Sequence, residues 1–97
     1  MNKFISIPEN IAYSPCKVKR YILSHKLGAN MASLIYKVPG YHFNLRAKTI
    51  AARYFSDSLS HAKELAKDYG LTLSSVHLIC YNMLIELQLT KKIVKRS

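Results

Sequence analysis

The sequence AKELAKDYGLTLSSVHLICY, residues 62–81, decides the fold of this chain. It holds two segments whose apolar residues recur at helical spacing, and Gly70 separates them. Each segment has one apolar face, formed by Leu65, Ala66 and Tyr69 in the first and by Val76, Ile79, Cys80 and, one turn further on, Met83 in the second. Gly70 can adopt the left-handed backbone that ends a helix, and Thr72 or Ser74 can cap the next one. The stretch therefore predicts two helices that meet across a short turn.

Two short helices joined by a glycine-containing turn form a helix-turn-helix, whose second helix is shaped to enter the major groove of DNA. The stretch resembles the helix-turn-helix units of bacterial regulators at every position that those units restrict. Ala66 is the small residue where the helices cross, and Gly70 is in the turn. The shared core positions hold Leu65, Tyr69, Leu71, Val76 and Ile79. The alternative is an ordinary helical hairpin in an all-α domain.

Length and composition limit the other possibilities. A chain of 97 residues with 49% apolar residues is expected to form a single folded domain, and the net charge of +10 favours a polyanionic partner. The two cysteines, Cys16 and Cys80, are far apart and have no metal-site spacing, so we expect no disulfide framework and a reducing cytoplasm. Together with binding to DNA, this predicts a nucleoid-associated location. No run of apolar residues is long enough for a membrane span, and the start of the chain has no secretory pattern.

The positive charge is unevenly distributed along the chain. Residues 1–56 contain nine Lys and Arg and one acid, Glu9, and residues 91–97 contain four Lys and Arg and no acid. Residues 57–90 contain two Lys and four acids, so the two predicted motif helices are slightly acidic as a group. We therefore expect the flanks of the motif to supply most of the electrostatic attraction to DNA.

The predicted fold is mainly α, with a three-helix helix-turn-helix core at residues 43–90. An extended arm at residues 1–13, a support region at 14–40 and a basic tail at 91–97 complete the expected domain. Ser14 and Pro15 predict a helix start, and the helix is expected to run to about Leu27 and to close at Gly28, although a strand also fits. Residues 30–38 predict a short helix or a strand that ends at Pro39.

The helix ahead of the motif is predicted at residues 45–55, with Asn44 as its cap. Its expected inward residues are Leu45, Ile50, Ala51, Tyr54 and Phe55. Arg46 and Arg53 are expected on an exposed side, where they can bind backbone phosphates or form a solvated helix face. Asp57 or Ser58 is expected to cap the first motif helix.

The second motif helix is expected to run from about Thr72 to about Leu87, with its outward face toward DNA. The predicted DNA-binding residues are Arg46, Arg53, Thr72, Ser74, Ser75, His77, Tyr81, Lys91 and Lys92. The outward face of this helix also holds Leu73 and Leu78. The residues predicted on this face include no Arg, Lys, Asn or Gln, the residue types that make the strong bidentate base contacts. Specificity is then expected from apolar contacts, DNA shape or several protomers together. The alternative is that this face packs against another protein.

The sequence contains no pattern typical of catalysis. His25, His42, His61 and His77 lack metal-ligand spacing, and there is no paired-carboxylate, nucleophile-elbow or phosphate-loop motif. We therefore expect a protein that is not an enzyme and that uses no cofactor or metal.

The apolar residues Leu84, Ile85, Leu87 and Leu89 predict either a homodimer or oligomer surface or packing against the N-terminal half. Residues 45–89 resemble the small bacterial fimbrial (adhesin biosynthesis) regulators of the PapB type, through Tyr54-Phe55, the run KELAKDY at 63–69 and the helix containing residues 76–83. That resemblance implies an oligomer that binds AT-rich double-stranded DNA and controls transcription. The alternatives are a protein-binding adaptor or inhibitor of the phage or plasmid type, and an RNA-binding or ribosome-associated protein.

Overall fold

The computed structural model describes the backbone of residues 5–96 and the side chains of residues 5–88. Over this part of the chain the backbone forms five helices and no strand. The helices are α1 (Pro15–Ser24), α2 (Gly28–Lys37), α3 (Leu45–Ser56), α4 (Ala62–Tyr69) and α5 (Leu73–Arg96). The predicted mainly α fold is confirmed, and both segments for which a strand was the alternative are helical.

Helix α3 lies at the centre of the molecule and packs against the other four helices. The Asn44 side-chain oxygen caps it by accepting a hydrogen bond from the Ala47 N–H at 2.8 Å, as predicted. Its buried residues are Ile50, Ala51, Ala52, Tyr54 and Phe55. The prediction that Leu45 faces inward is wrong: this side chain is 70% exposed, because the first residue of the helix lies beyond the edge of the core.

Helix α1 ends three residues earlier than the sequence predicted. Its last turn closes through two hydrogen bonds, from the Leu27 N–H to the Ile22 carbonyl at 2.9 Å and from the Lys26 N–H to the Leu23 carbonyl at 3.2 Å. This pair of bonds requires a left-handed residue, and Lys26 adopts it with φ of 55°. Gly28 was expected in that role, but it begins α2 instead.

The segment before α1 packs on the core through Ile5 and Ile7. Ile5 and Ala12 are buried, and a turn forms where the Ile11 N–H donates to the Pro8 carbonyl at 3.1 Å. Residues 1–4 of the predicted arm lie outside the described residues. Ser14 occupies the N-cap position of α1 with Pro15 in the first turn, as predicted, but the Ser14 side chain makes no capping hydrogen bond.

The connection between α3 and α4 corrects a second prediction. His61, and not Asp57 or Ser58, is the N-cap residue of α4. Asp57 instead ends α3 and organises the loop, because its carboxylate accepts hydrogen bonds from the Ser60 hydroxyl at 2.7 Å and the Leu59 N–H at 2.8 Å. These two bonds hold the pKa of Asp57 below its ordinary value.

Helices α4 and α5 meet as the predicted helix-turn-helix. Gly70 has φ of 65°, and the Leu71 N–H donates to the Ala66 carbonyl at 2.8 Å, which closes α4. The Thr72 hydroxyl accepts a hydrogen bond from the Ser75 N–H at 3.1 Å and caps α5. The chain bends by 110° between α4 and the Leu73–Gln88 part of α5, which is within the usual range for two helices of such a motif.

Helix α5 extends beyond Leu87, where the sequence predicted its end, and reaches Arg96. Leu84 and Leu87 are buried in the same core as the other helices. Internal packing is therefore confirmed for these two residues, and the side chain of Leu89 lies outside the described part. Between residues 5 and 96 no single helix combines the length and hydropathy of a membrane span; only α4 and Leu73–Gln88 together reach that limit, as a sharply bent pair.

Candidate nucleic-acid interface

The outward face of the second motif helix is open to solvent. The exposed positions are Thr72, Leu73, Ser74, His77, Leu78 and Tyr81. The apolar members contribute substantially, with exposed fractions of 42% for Leu73, 59% for Leu78 and 41% for Tyr81. The opposite face, formed by Val76, Cys80 and Met83, is completely buried, so the orientation of the helix is firmly determined by its packing.

Ser75 is less available than the sequence prediction assumed. It is half-buried, and its hydroxyl lies 2.8 Å from the Thr72 hydroxyl that caps the helix. Both side chains therefore stabilise the start of α5. Ser74, His77 and Tyr81 remain the exposed hydrogen-bonding groups of the predicted set on this helix.

Asn82 adds a residue that the sequence prediction missed. It is exposed, and it follows Ser74 and Leu78 at intervals of four residues, so the three side chains lie along one side of α5. An Asn side chain can donate to and accept from the same adenine edge, which is the type of contact that the predicted face lacked. The i, i+4 spacing was visible in the sequence and is the signal that could have identified it.

The beginning of α1 lies beside this face and forms one wall of a cleft of about 500 Å³. The cleft is lined by Ser14, Pro15, Cys16, Ser74, His77, Leu78 and Tyr81. The ring of Tyr13, just before α1, lies 6.4 Å from the ring of Tyr81 between centroids. The exposed surface of the motif is therefore continuous with α1, a helix that sequence reasoning had assigned only to support.

A second cleft, of about 400 Å³, separates α1 from the beginning of α4. Its lining consists of Cys16, Lys19, Arg20, Leu23, Tyr54, His61, Ala62 and His77. Four of these residues have basic side chains and none is acidic. Cys16 and His77 line both clefts, so the basic cleft opens directly beside the outward face of α5.

Lys19 is half-buried and forms the inner part of this basic cleft. Its ammonium group donates a hydrogen bond to the Ser60 carbonyl and lies 4.6 Å from the centre of the Tyr54 ring. Burial lowers the pKa of Lys19, and the nearby carboxylate of Asp57 opposes that shift. The Tyr54 hydroxyl donates to the Cys16 sulfur at 3.6 Å, and burial raises the pKa of Tyr54.

The two arginines predicted to bind phosphates make contacts within the protein. Arg46 donates to the Tyr69 carbonyl, and its guanidinium lies 5.9 Å from the centre of the Tyr69 ring. Arg53 lies 5.6 Å from the same ring, donates to the Tyr69 hydroxyl at 3.4 Å and pairs with Asp68 at 3.3 Å. The hydrogen bond to Tyr69 and the pairing with Asp68 raise the pKa of Arg53. Both arginines thus hold the end of α4 against α3.

Lys91, Lys92 and the candidate metal-binding groups are the remaining predictions. The side chains of Lys91 and Lys92 lie outside the described side chains. No group of three or more His, Cys, Asp or Glu suitable for a metal ion occurs among the residues that the structure describes. Cys80 is buried, as predicted, and burial raises the pKa of its thiol to about 12.

Comparison with known proteins adds no further assignment. No family model, no curated protein and no solved structure matches the chain. The resemblance to PapB-type regulators therefore remains a prediction from the sequence.

Proposed function

We propose that this protein is a DNA-binding regulator of transcription that inserts the first half of α5 into the major groove of double-stranded DNA. The observation that carries the proposal is that α4 and α5 form a helix-turn-helix and that the outward face of its second helix, α5, is exposed to solvent. Gly70 and the Thr72 cap supply the turn, and Ser74, His77 and Tyr81 supply exposed groups that can bind base edges or phosphates.

The electrostatics of the chain support a polyanionic partner. The net charge is +10, and Lys17, Arg20 and Lys26 on and after α1 are exposed. Such charges give salt-dependent affinity for any duplex, while Leu78 can contact a thymine methyl group and Asn82 an adenine edge. The proposed readout therefore combines a few base contacts with the shape of the duplex.

The proposed regulator acts as a homodimer or oligomer, since the groove contacts of a single copy are few. Two of the apolar residues first considered for the contact between copies, Leu84 and Leu87, do not support this part, because they are internal. Sedimentation of the free protein and of its DNA complex measures the number of copies, and one copy in both cases would contradict it.

The test selects bound fragments from a genomic pool and then compares the wild type with the double variant Ser74→Glu, His77→Ala on a selected duplex. Both residues are exposed, so circular dichroism is expected to show an unchanged fold. The added carboxylate faces phosphates and base acceptors, and we expect affinity to fall at least tenfold. Ser33→Glu on α2 is the matched control, because it adds the same charge at an exposed serine outside the motif. Equal binding by the double variant would exclude α5 as the reading helix.

A second candidate function, binding to another protein, is favoured by one observation. Leu73, Leu78 and Tyr81 each expose apolar surface on the outward face of α5. A protein-binding adaptor would lose its partner through Leu78→Ser and would show no selection of DNA fragments. Recovery of a defined DNA sequence from the pool would instead support the regulator.

A further inference from the structure

The sequence predicts phosphate contacts from Arg46, Arg53, Lys91 and Lys92, and the structure gives the two arginines partners inside the protein. Arg46 is bonded to the Tyr69 carbonyl, and Arg53 is shared between Tyr69 and Asp68. The cleft next to Arg53 is also lined by three acids, Asp57, Glu64 and Asp68, against one further cation, Lys67, so an approaching phosphate meets a net negative charge there. The side of the motif that carries α3 is therefore poorly suited to a phosphate backbone.

The other side of the motif has the opposite character. The cleft between α1 and the beginning of α4 is lined by Lys19, Arg20, His61 and His77 and by no acid. Asp57 lies close enough to act on Lys19 but is not part of the lining, and its carboxylate is occupied by Ser60 and Leu59. Since His77 also belongs to the outward face of α5, this cleft adjoins the surface proposed to enter the groove.

We propose that the cleft between α1 and α4 binds a backbone phosphate of the duplex whose groove α5 enters, with Arg20 as its main contact. Arg20 is exposed at the rim of the cleft and has five N–H donors for a phosphate oxygen pair. Lys19, held by the Ser60 carbonyl and the Tyr54 ring, supplies a fixed positive charge behind it. His61 and His77 complete the walls on the α4 and α5 sides.

This inference rests on the proposed function, and it adds α1 as a second DNA-binding element. A phosphate contact carries no sequence information, so its loss weakens binding to every duplex by the same factor. Arg20→Ala is therefore expected to lower affinity roughly tenfold near 0.1 M salt, equally for a selected and a shuffled duplex, and to reduce the slope of log affinity against log salt by about 0.9. Arg20→Lys is expected to keep most of the slope. Lys37→Ala on α2 is the matched control, because Lys37 is an exposed cation outside both clefts.

A proximity measurement tests the geometry directly. Cys16 is exposed at the junction of the two clefts while Cys80 is buried, so a thiol-specific photocrosslinker attaches selectively to Cys16 in the native wild type. We expect it to crosslink bound duplex, and we expect the same reagent on Lys37→Cys, in a Cys16→Ser background, to give no crosslink.

The outcomes separate the two proposals. If the wild type does not bind duplex DNA at low salt, the proposed function fails and this inference fails with it. If the wild type binds but Arg20→Ala keeps its affinity and salt slope, only the phosphate site is wrong. If Cys16 gives no crosslink, the bound duplex lies away from both clefts, and the phosphate site and the placement of α5 in the groove are both wrong. If Arg20→Ala changes the preferred sequence, Arg20 contacts bases and the assignment to a phosphate is overturned.

Discussion

Lys26 occupies a backbone position that glycine usually fills. It closes α1 with φ of 55°, a conformation in which a side chain carrying a Cβ is strained. We expect Lys26→Gly to be about 1 kcal/mol more stable than Lys26→Ala, since both remove the charge and only glycine removes the strain. The free energy of unfolding in urea measures the difference. Equal stability of the two variants would show that the left-handed position is not strained.

Asp57 gives the molecule a pH-dependent contribution to stability. The Ser60 hydroxyl and the Leu59 N–H lower its folded pKa below the ordinary value of 3.8. The carboxylate therefore stabilises the fold above that ordinary value, and this stabilisation is lost as the pH falls through the folded pKa. We expect Asp57→Asn to be less stable than the wild type near neutral pH and to approach it as the pH falls below about 4. Urea midpoints measured across the acidic range test this, and a constant difference would contradict it.

At the scale of the elements, the contact between α2 and the end of α3 depends on Gly28. A Cβ at this position would lie 3.1 Å from the Ser56 carbonyl oxygen and 3.2 Å from the Ser56 Cα, both in a backbone that cannot easily move. We expect Gly28→Ala to destabilise the protein by about 1–3 kcal/mol, because the two helices must separate.

Gly40 provides the control for that substitution. It lies in the loop between α2 and α3, and a Cβ there would meet no atom within 4 Å. Gly40→Ala is expected to be neutral or stabilising by up to about 1 kcal/mol, through the lower entropy of the unfolded chain. Thermal unfolding of both variants distinguishes the close contact from a general effect of losing glycine, and similar losses in both would contradict the packing account.

At the scale of the whole molecule, the two sides of the motif are expected to do different work. Arg53 holds Tyr69 and Asp68 at the end of α4, whereas Arg20 lies free of acids at the basic cleft. We expect Arg53→Ala to lower the urea midpoint and to leave the salt slope of DNA binding unchanged. Arg20→Ala is expected to leave the urea midpoint unchanged and to reduce the salt slope of DNA binding. If Arg53→Ala reduced the salt slope without lowering stability, Arg53 on α3 would bind a phosphate, and this would contradict the division between the two sides.

The sequence was sufficient to predict those features of the structure that depend on residues close together along the chain. Asn44, Gly70 and Thr72 act within three or four residues of their partners, and the apolar spacing of α4 and α5 identifies the buried faces directly. Even so, the left-handed Lys26 was missed, because a lysine carries no signal for that conformation and Gly28 nearby does.

The candidate site depended more on distant contacts. Lys19 meets the Ser60 carbonyl 41 residues away, and Arg46 meets the Tyr69 carbonyl 23 residues away. No periodicity specifies such pairs, so the position of α1 beside α5 and the occupation of the two arginines followed only from the fold. The exposed face of α5, by contrast, was predictable, since its residues follow from helical spacing alone.

The most direct test of the central claim is the affinity of the wild-type protein for duplex DNA as a function of salt. A regulator that contacts about six phosphates is expected to lose about three decades of affinity between about 50 and 200 mM salt, on selected and unselected duplexes alike. Tight, steeply salt-dependent binding with a preference for the selected sequence is the result that we predict. Negligible binding of any duplex at low salt would contradict the account.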